Sequence, residues 1–151
     1  MKSPTDILRE EHNKVLRVLD MLEENLYEKD MRASTENIKA LEREFDVHSL
    51  SKEEKALFPE IEKFIPREGG PTGMMIIEHK DLVTSIKEFK EAIKEKDLSK
   101  MDKIGSHIIS LLRQHIDKEN NILFMIADMH LSDKQKKTIL DKFREIDAKV
   151  K

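Results

Sequence analysis

The chain has 151 residues, 39% of them charged, with a formal net charge of -3 and no cysteine. That length suits one domain with a proper core, and the lack of cysteine excludes disulfides, zinc–thiolate sites, iron–sulfur clusters and thiol nucleophiles. The mixed charges argue against nucleic acid as a partner, and no apolar run resembles a membrane span or the core of a signal peptide, so a cytoplasmic protein away from the membrane is expected.

Only four glycines and four prolines punctuate the chain, and few segments have β character, so the expected class is all-α. A first helix is expected from about Pro4 to Glu28. Ser3 caps it, Pro4 takes the first helical position and Asp6 completes a capping box. Leu8, Val15, Leu19, Leu22 and Leu26 form its apolar stripe, and His12 lies within it. A second helix is expected from about Ser34 to Phe64, ending before Pro66 and the loop Arg67-Glu68-Gly69-Gly70-Pro71. A third, from about Thr72 to Lys94, carries Ile76, His79, Val83, Ile86 and Ile93 on one side. A fourth, from about Leu98 to Met129, carries Ile104, Ile108, Leu111, His115, Ile122 and Ile126. A fifth, Asp133 to Val150, opens with Ser132 and Gln135 as a second capping box. Short connections favour antiparallel neighbours. The expected architecture is therefore an up-down-up-down four-helix bundle over residues 1–130, with 131–151 as a C-terminal helix packed outside it on the same domain.

Four of the six histidines form two matched pairs: His12 and His48 are 36 residues apart, and so are His79 and His115. Two of them open alike, as Glu11-His12 and Glu78-His79. The other two lead to carboxylates and a shared tail, His48…Glu53…Leu57-Phe58 and His115…Glu119…Leu123-Phe124. A lone histidine on an apolar stripe is ordinarily a hydrogen-bonded core residue. Four at repeated spacing, with two carboxylates, would be costly to bury unpaired, and a metal offsets that cost. Imidazole and carboxylate without thiolate suit iron, with manganese or a mixed pair left open.

His115 and Glu119 are four residues apart and share a helix face. His48 and Glu53 are five apart, about 140° on an ideal helix, and Lys52 at the intervening i+4 position cannot ligate while charged. The apolar stripe slips by one residue between Ile38, Leu41, Phe45, His48 and Glu53, Leu57, Ile61, Phe64. A π-bulge within Ser49–Lys52 would absorb that slip and return Glu53 to the site; in unbroken α-helix Glu44 would substitute. Glu11 and Glu78 point away from their neighbouring histidines and are expected to accept a proton from an imidazole on another helix. His107 is expected to be packed or to support the site, His130 to be exposed, and Tyr27 and the eight methionines to fill the bundle.

Glu11-His12, the stretch Lys52–Pro59, Glu68-Gly69-Gly70-Pro71 through Glu78-His79, and His115–Asn120 together resemble the hemerythrin-like family of His-His-Glu cation-binding bundles, over about residues 5 to 130. The resemblance implies a four-helix bundle with a non-haem di-iron centre bridged by oxo or hydroxo. His12 and His48 would serve one iron and His79 and His115 the other, with Glu53 and Glu119 as bridges. Oxygen-carrying members have a fifth histidine one helical turn from the third-helix ligand, where this chain has Met75 and Val83. An open position for water, another carboxylate or an exogenous ligand follows. They also use a five-residue step to the carboxylate of their last helix.

The function expected is binding or sensing of dioxygen, peroxide or nitric oxide, or of iron, rather than enzymatic turnover. No serine nucleophile or phosphate-binding loop is visible. One alternative is a metal-stabilised interaction or signalling bundle holding a redox-silent ion. Another is a ferritin-like iron oxidase, but its Glu-x-x-His step is missing: Arg9, Phe45, Ile76 and Leu112 stand three residues before the histidines.

Overall fold

The computed structural model describes residues 2–150, and among them every regular element is helical. Met1 and Lys151, the outermost residues of the expected 1–130 and 131–151 spans, lie outside the described residues. Helix α1 spans Pro4–Tyr27. The Ser3 hydroxyl accepts from the Asp6 amide at 3.1 Å, and the Ser3 amide donates back to Asp6 Oδ2 at 3.1 Å, satisfying two amides that a helix start leaves open. Helix α2 runs over residues 31–61, α3 is Pro71–Lys94, α4 runs over residues 98–130 and α5 is Asp133–Val150.

Both tight hairpin turns use the same three residues, Glu28-Lys29-Asp30 and Glu95-Lys96-Asp97. Each lysine takes the left-handed conformation (φ 59° and 55°). The Asp30 amide donates to Asn25 O at 2.9 Å and the Asp97 amide to Ala92 O at 3.0 Å, the six-to-one bond that closes a helix end. Each aspartate side chain then accepts from the third amide of the next helix, Ala33 or Lys100, at 3.0 Å. The cap places the start of α2 at Met31, three residues before the expected Ser34, and its regular turns end at Ile61 rather than Phe64.

Neither α2 nor α4 is uniform. Helix α2 is α-helical over Met31–Phe45, π-helical over Asp46–Leu57 and α-helical again over Phe58–Ile61. The π-bulge expected at Ser49–Lys52 is thus the middle of a longer wide segment. Pro59 lacks the amide that would close an α turn back to Lys55, and the wide segment ends two residues before it. Helix α4 has a second π segment, Glu119–Leu123, between Leu98–Lys118 and Phe124–His130. The Phe58 amide donates to Glu53 O and the Phe124 amide to Glu119 O, five residues back in both halves.

Two expected stripes are corrected, the first by the phase change in α4 and the second by packing along the regular α3. Leu123 and Phe124 are buried while Ile122 is 53% exposed, and Leu82 and Phe89 are buried while Val83 is 45% exposed. Tyr27 does not fill the bundle: it is 88% exposed, and Met21, Met74, Met125 and Met129 also face outward, while Met75 and Met101 are core methionines and Met31 packs partly buried against the core.

Helices α1 to α4 close a ring in which consecutive rods are neighbours and α1 also packs on α4. The core splits in two. One apolar cluster, including Val15, Leu19, Leu41, Phe45, Ile86 and Ile116, fills the hairpin-turn end. The other, including Leu8, Leu57, Phe58, Leu123 and Phe124, fills the opposite end. Helix α5 lies against the π segment of α2 and inserts Ile139 and Phe143 into the second cluster. Full burial contributes about 1.5–3 kcal/mol for each. Ser132 and Gln135 form the expected capping box, and Gln135 Nε2 also donates to Glu60 O at 3.4 Å. None of the helices described is long and apolar enough to cross a membrane.

Candidate metal centre

Between the two apolar clusters lies a polar layer. Each ring helix contributes one histidine, and α2 and α4 add one glutamate apiece. His12, His48, Glu53, His79, His115 and Glu119, the six residues expected from the sequence, all converge there, and all are buried. The π segment of α2 determines how Glu53 approaches. The wide turn of α2 brings Glu53 to the face of His48 although five residues separate them, while Glu119 follows His115 by an ordinary i+4 step.

Each imidazole is held from behind. His48 Nδ1 donates to Glu11 Oε1 at 2.9 Å, His115 Nδ1 to Glu78 Oε1 at 2.8 Å, His79 Nδ1 to Glu54 Oε2 at 2.6 Å and His12 Nδ1 to Asn120 Oδ1 at 2.7 Å. An ionised carboxylate only accepts, so these bonds set the ring orientation and leave Nε2 facing inward. Glu11 and Glu78 therefore each serve a histidine on a neighbouring helix. Glu54 and Asn120 were missed by sequence reasoning, yet a signal existed: each directly follows one of the paired glutamates, Glu53 and Glu119.

On the inner side, Glu53 reaches both halves of the layer. Its Oε2 is 3.2 Å from His48 Nε2 and its Oε1 3.2 Å from His79 Nε2. Glu119 Oε1 is 3.0 Å from His12 Nε2 and 3.4 Å from His115 Nε2. His79 Nε2 and His115 Nε2 are 3.2 Å apart. Proximity is not pairing here: His48 Nε2, both Glu53 oxygens and Glu119 Oε2 have no hydrogen-bond partner of acceptable geometry. Buried acceptors crowded around one point, without donors, are expensive unless a positive charge sits among them. Two overlapping donor groups result, His12, His48, Glu53 and Glu119, and Glu53, His79, His115 and Glu119; within each group the donor atoms lie within 4.8 Å of one another. The donor set fits cation binding.

The electrostatics agree. Burial alone would depress the His48 imidazole, but the nearby Glu53 charge and the hydrogen bond to Glu11 outweigh it and raise the pKa to about 10. His79 is likewise raised to about 9 against burial, by Glu53 and Glu54. His115 is raised against burial by Glu119. Burial pushes the Glu119 carboxyl up, yet His115 and His12 hold it well below the usual range. Without a cation, protons on His48 and His79 provide compensating charge. Burial also raises the Glu11 and Glu78 carboxyls, but His48 with Lys52, and Lys118 with His115, bring them below normal.

Aromatic rings screen the layer. Phe124 stacks on His12 with centroids 5.3 Å apart, and Phe58 stacks on His79 at 6.0 Å. Both come from the repeated Leu-Phe tails. A cavity of about 10 Å³, lined by His12, Val15, Phe45, His48, Leu112 and Glu119 among others, adjoins the donors. That is room for roughly one water-sized molecule.

The remaining candidates stay outside. Glu44 pairs with Lys14 at 3.0 Å. His107 is not packed: its side chain is 50% exposed and lies 3.0 Å from Asp81. His130 is exposed beside Phe64. Replacing Glu78 by alanine is expected to free the His115 ring and lower metal affinity about 10–100-fold, read by competition with a chromogenic chelator, with helix content unchanged.

The family described as Hemerythrin HHE cation binding domain matches the chain over residues 3–127. Among curated proteins, none matches.

Proposed function

The chain belongs to the hemerythrin HHE cation-binding family, and on that premise we propose that it is a non-haem di-iron protein that binds or senses a small molecule (dioxygen, peroxide or nitric oxide) or iron itself. The observation that carries this reading is Glu53, buried, with one oxygen toward His48, the other toward His79, and neither hydrogen-bonded. In this reading His12 and His48 hold one ion, His79 and His115 the other, and Glu53 and Glu119 span both. Bound iron would supply a redox change and an open coordination position. The protein's own residues supply the rest. The outer carboxylates keep the imidazoles aimed, Phe58 and Phe124 exclude bulk water, and the cavity beside His12 has room for a small molecule only. We propose further that residues 1–130 form the cation-binding bundle and that 131–151 belong to the same domain.

Metal analysis with an absorption spectrum of air-exposed protein tests the proposal. The expected result is about two irons per chain with near-ultraviolet charge-transfer bands that bleach on reduction. Stoichiometric zinc without such bands would overturn the redox reading and favour a metal-stabilised interaction bundle instead.

A further inference from the structure

Lys52 is an unusual residue for its place: a lysine only 2% exposed, one helical turn from a histidine of the polar layer. Its ammonium is 2.5 Å from Glu11 Oε2, whose other oxygen accepts from His48 Nδ1. It is also 2.9 Å from Asp147 Oδ1 of α5 and 5.5 Å from the centroid of the Phe143 ring, again on α5. A continuous chain of contacts thus runs from the C-terminal helix to the centre: Asp147, Lys52, Glu11, His48.

The other half of the molecule provides the comparison. Lys118 contacts Glu78, whose other oxygen accepts from His115 Nδ1. That copy has no fifth helix over it, and the Lys118 side chain is 34% exposed. The inner motif of glutamate, histidine and lysine therefore forms without α5. What α5 adds is confined to the first half, where it covers the lysine and holds it from a second side.

We propose that α5 is a latch linked to the metal centre, with Asp147 and Lys52 as positioning residues that set His48 through Glu11. The inference rests on the metal reading above. With α5 seated, Lys52 is held between two carboxylates and Glu11 is held toward His48. With α5 lifted, Lys52 gains water and its hold on Glu11 slackens to that of the part-exposed Lys118 on Glu78. Seating therefore favours the ring orientation that loading needs, and loading must favour seating to the same degree, because coupling between two equilibria is reciprocal. The signal leaving the centre is the exposure of the α5 face that carries Ile139 and Phe143.

The test uses the full chain, ferrous iron under argon, and zinc as a redox-silent second probe. Amide hydrogen exchange of residues 139–147 is followed with and without metal, beside the metal affinity. Wild type is expected to show slower exchange in α5 on loading. D147A is expected to lose that metal-dependent slowing and about three- to tenfold in affinity, and D147E to recover both. K118A is expected to weaken metal binding while α5 still responds as in wild type. If wild type binds metal but α5 exchange does not respond, or D147A matches wild type in both readouts, the latch is refuted and the metal reading stands. If wild type binds neither metal, both fall together.

Discussion

On the two-ion reading proposed above, alanine at position 53 is expected to empty both metal positions at once, lowering affinity for the pair by more than about 100-fold. Loss of an outer hydrogen-bond partner alone costs about 10–100-fold, and Glu53 belongs to both donor groups. His12 belongs to one, so H12A is expected to retain one ion where E53A retains none. The fold itself should persist, because losing Glu53 removes that carboxylate's desolvation cost and lets His48 and His79, no longer held protonated by it, become neutral. Metal content by elemental analysis, helix content by circular dichroism, and the shift in unfolding temperature on loading check this together. For E53A the shift on loading should vanish while the helical signal remains. Retention of both ions in E53A would remove Glu53 from the centre.

Metal uptake is expected to strengthen steeply with pH, by about tenfold per pH unit for each proton displaced. The groups responsible are His48, raised to about 10, His79, raised to about 9, and His115, raised above its ordinary 6.5. Below those values the metal-free imidazoles hold protons that a cation must expel. The metal-free protein responds in the opposite direction. A group raised on folding contributes its stability fully below its unfolded value and loses it as pH climbs through the folded one. The metal-free chain is therefore expected to weaken between about pH 6.5 and 10. Glu119 is held down on folding, so its contribution is present above 4.5 and is lost as pH falls through its lowered value. The gap in unfolding temperature between loaded and chelator-treated protein should thus widen from pH 6.5 to 9. A gap independent of pH would mean that these histidines do not exchange protons for metal.

Much of the architecture was legible from local signals. Ser3 with Asp6, and Ser132 with Gln135, are caps whose partners lie three residues away, so their geometry follows from the backbone alone. The slip from His48 to Glu53 exposed the first π segment because a lysine and a carboxylate interrupt an apolar stripe there. The second π segment gave no such sign. Ile122 and Leu123 are both apolar, so either phase satisfies the pattern, and only packing shows that Leu123 turns inward. Val83 beside Leu82 conceals the true stripe of α3 in the same way. The repeated Glu-Lys-Asp turns were equally local, and they mark both helix starts once the left-handed lysines and the aspartate caps are seen.

Residue types and spacing by themselves determined the helical class, the doubled hairpin and the six converging donors, because caps, periodicity and a tandem repeat act over a few neighbouring positions. Tertiary structure alone decided which outer group steadies each imidazole, how Glu53 turns its two oxygens to different histidines, and that Asp147 reaches Lys52. Those contacts join side chains on different rods, and their existence depends on helix rotation and on exclusion of water, neither of which a single strand of letters carries.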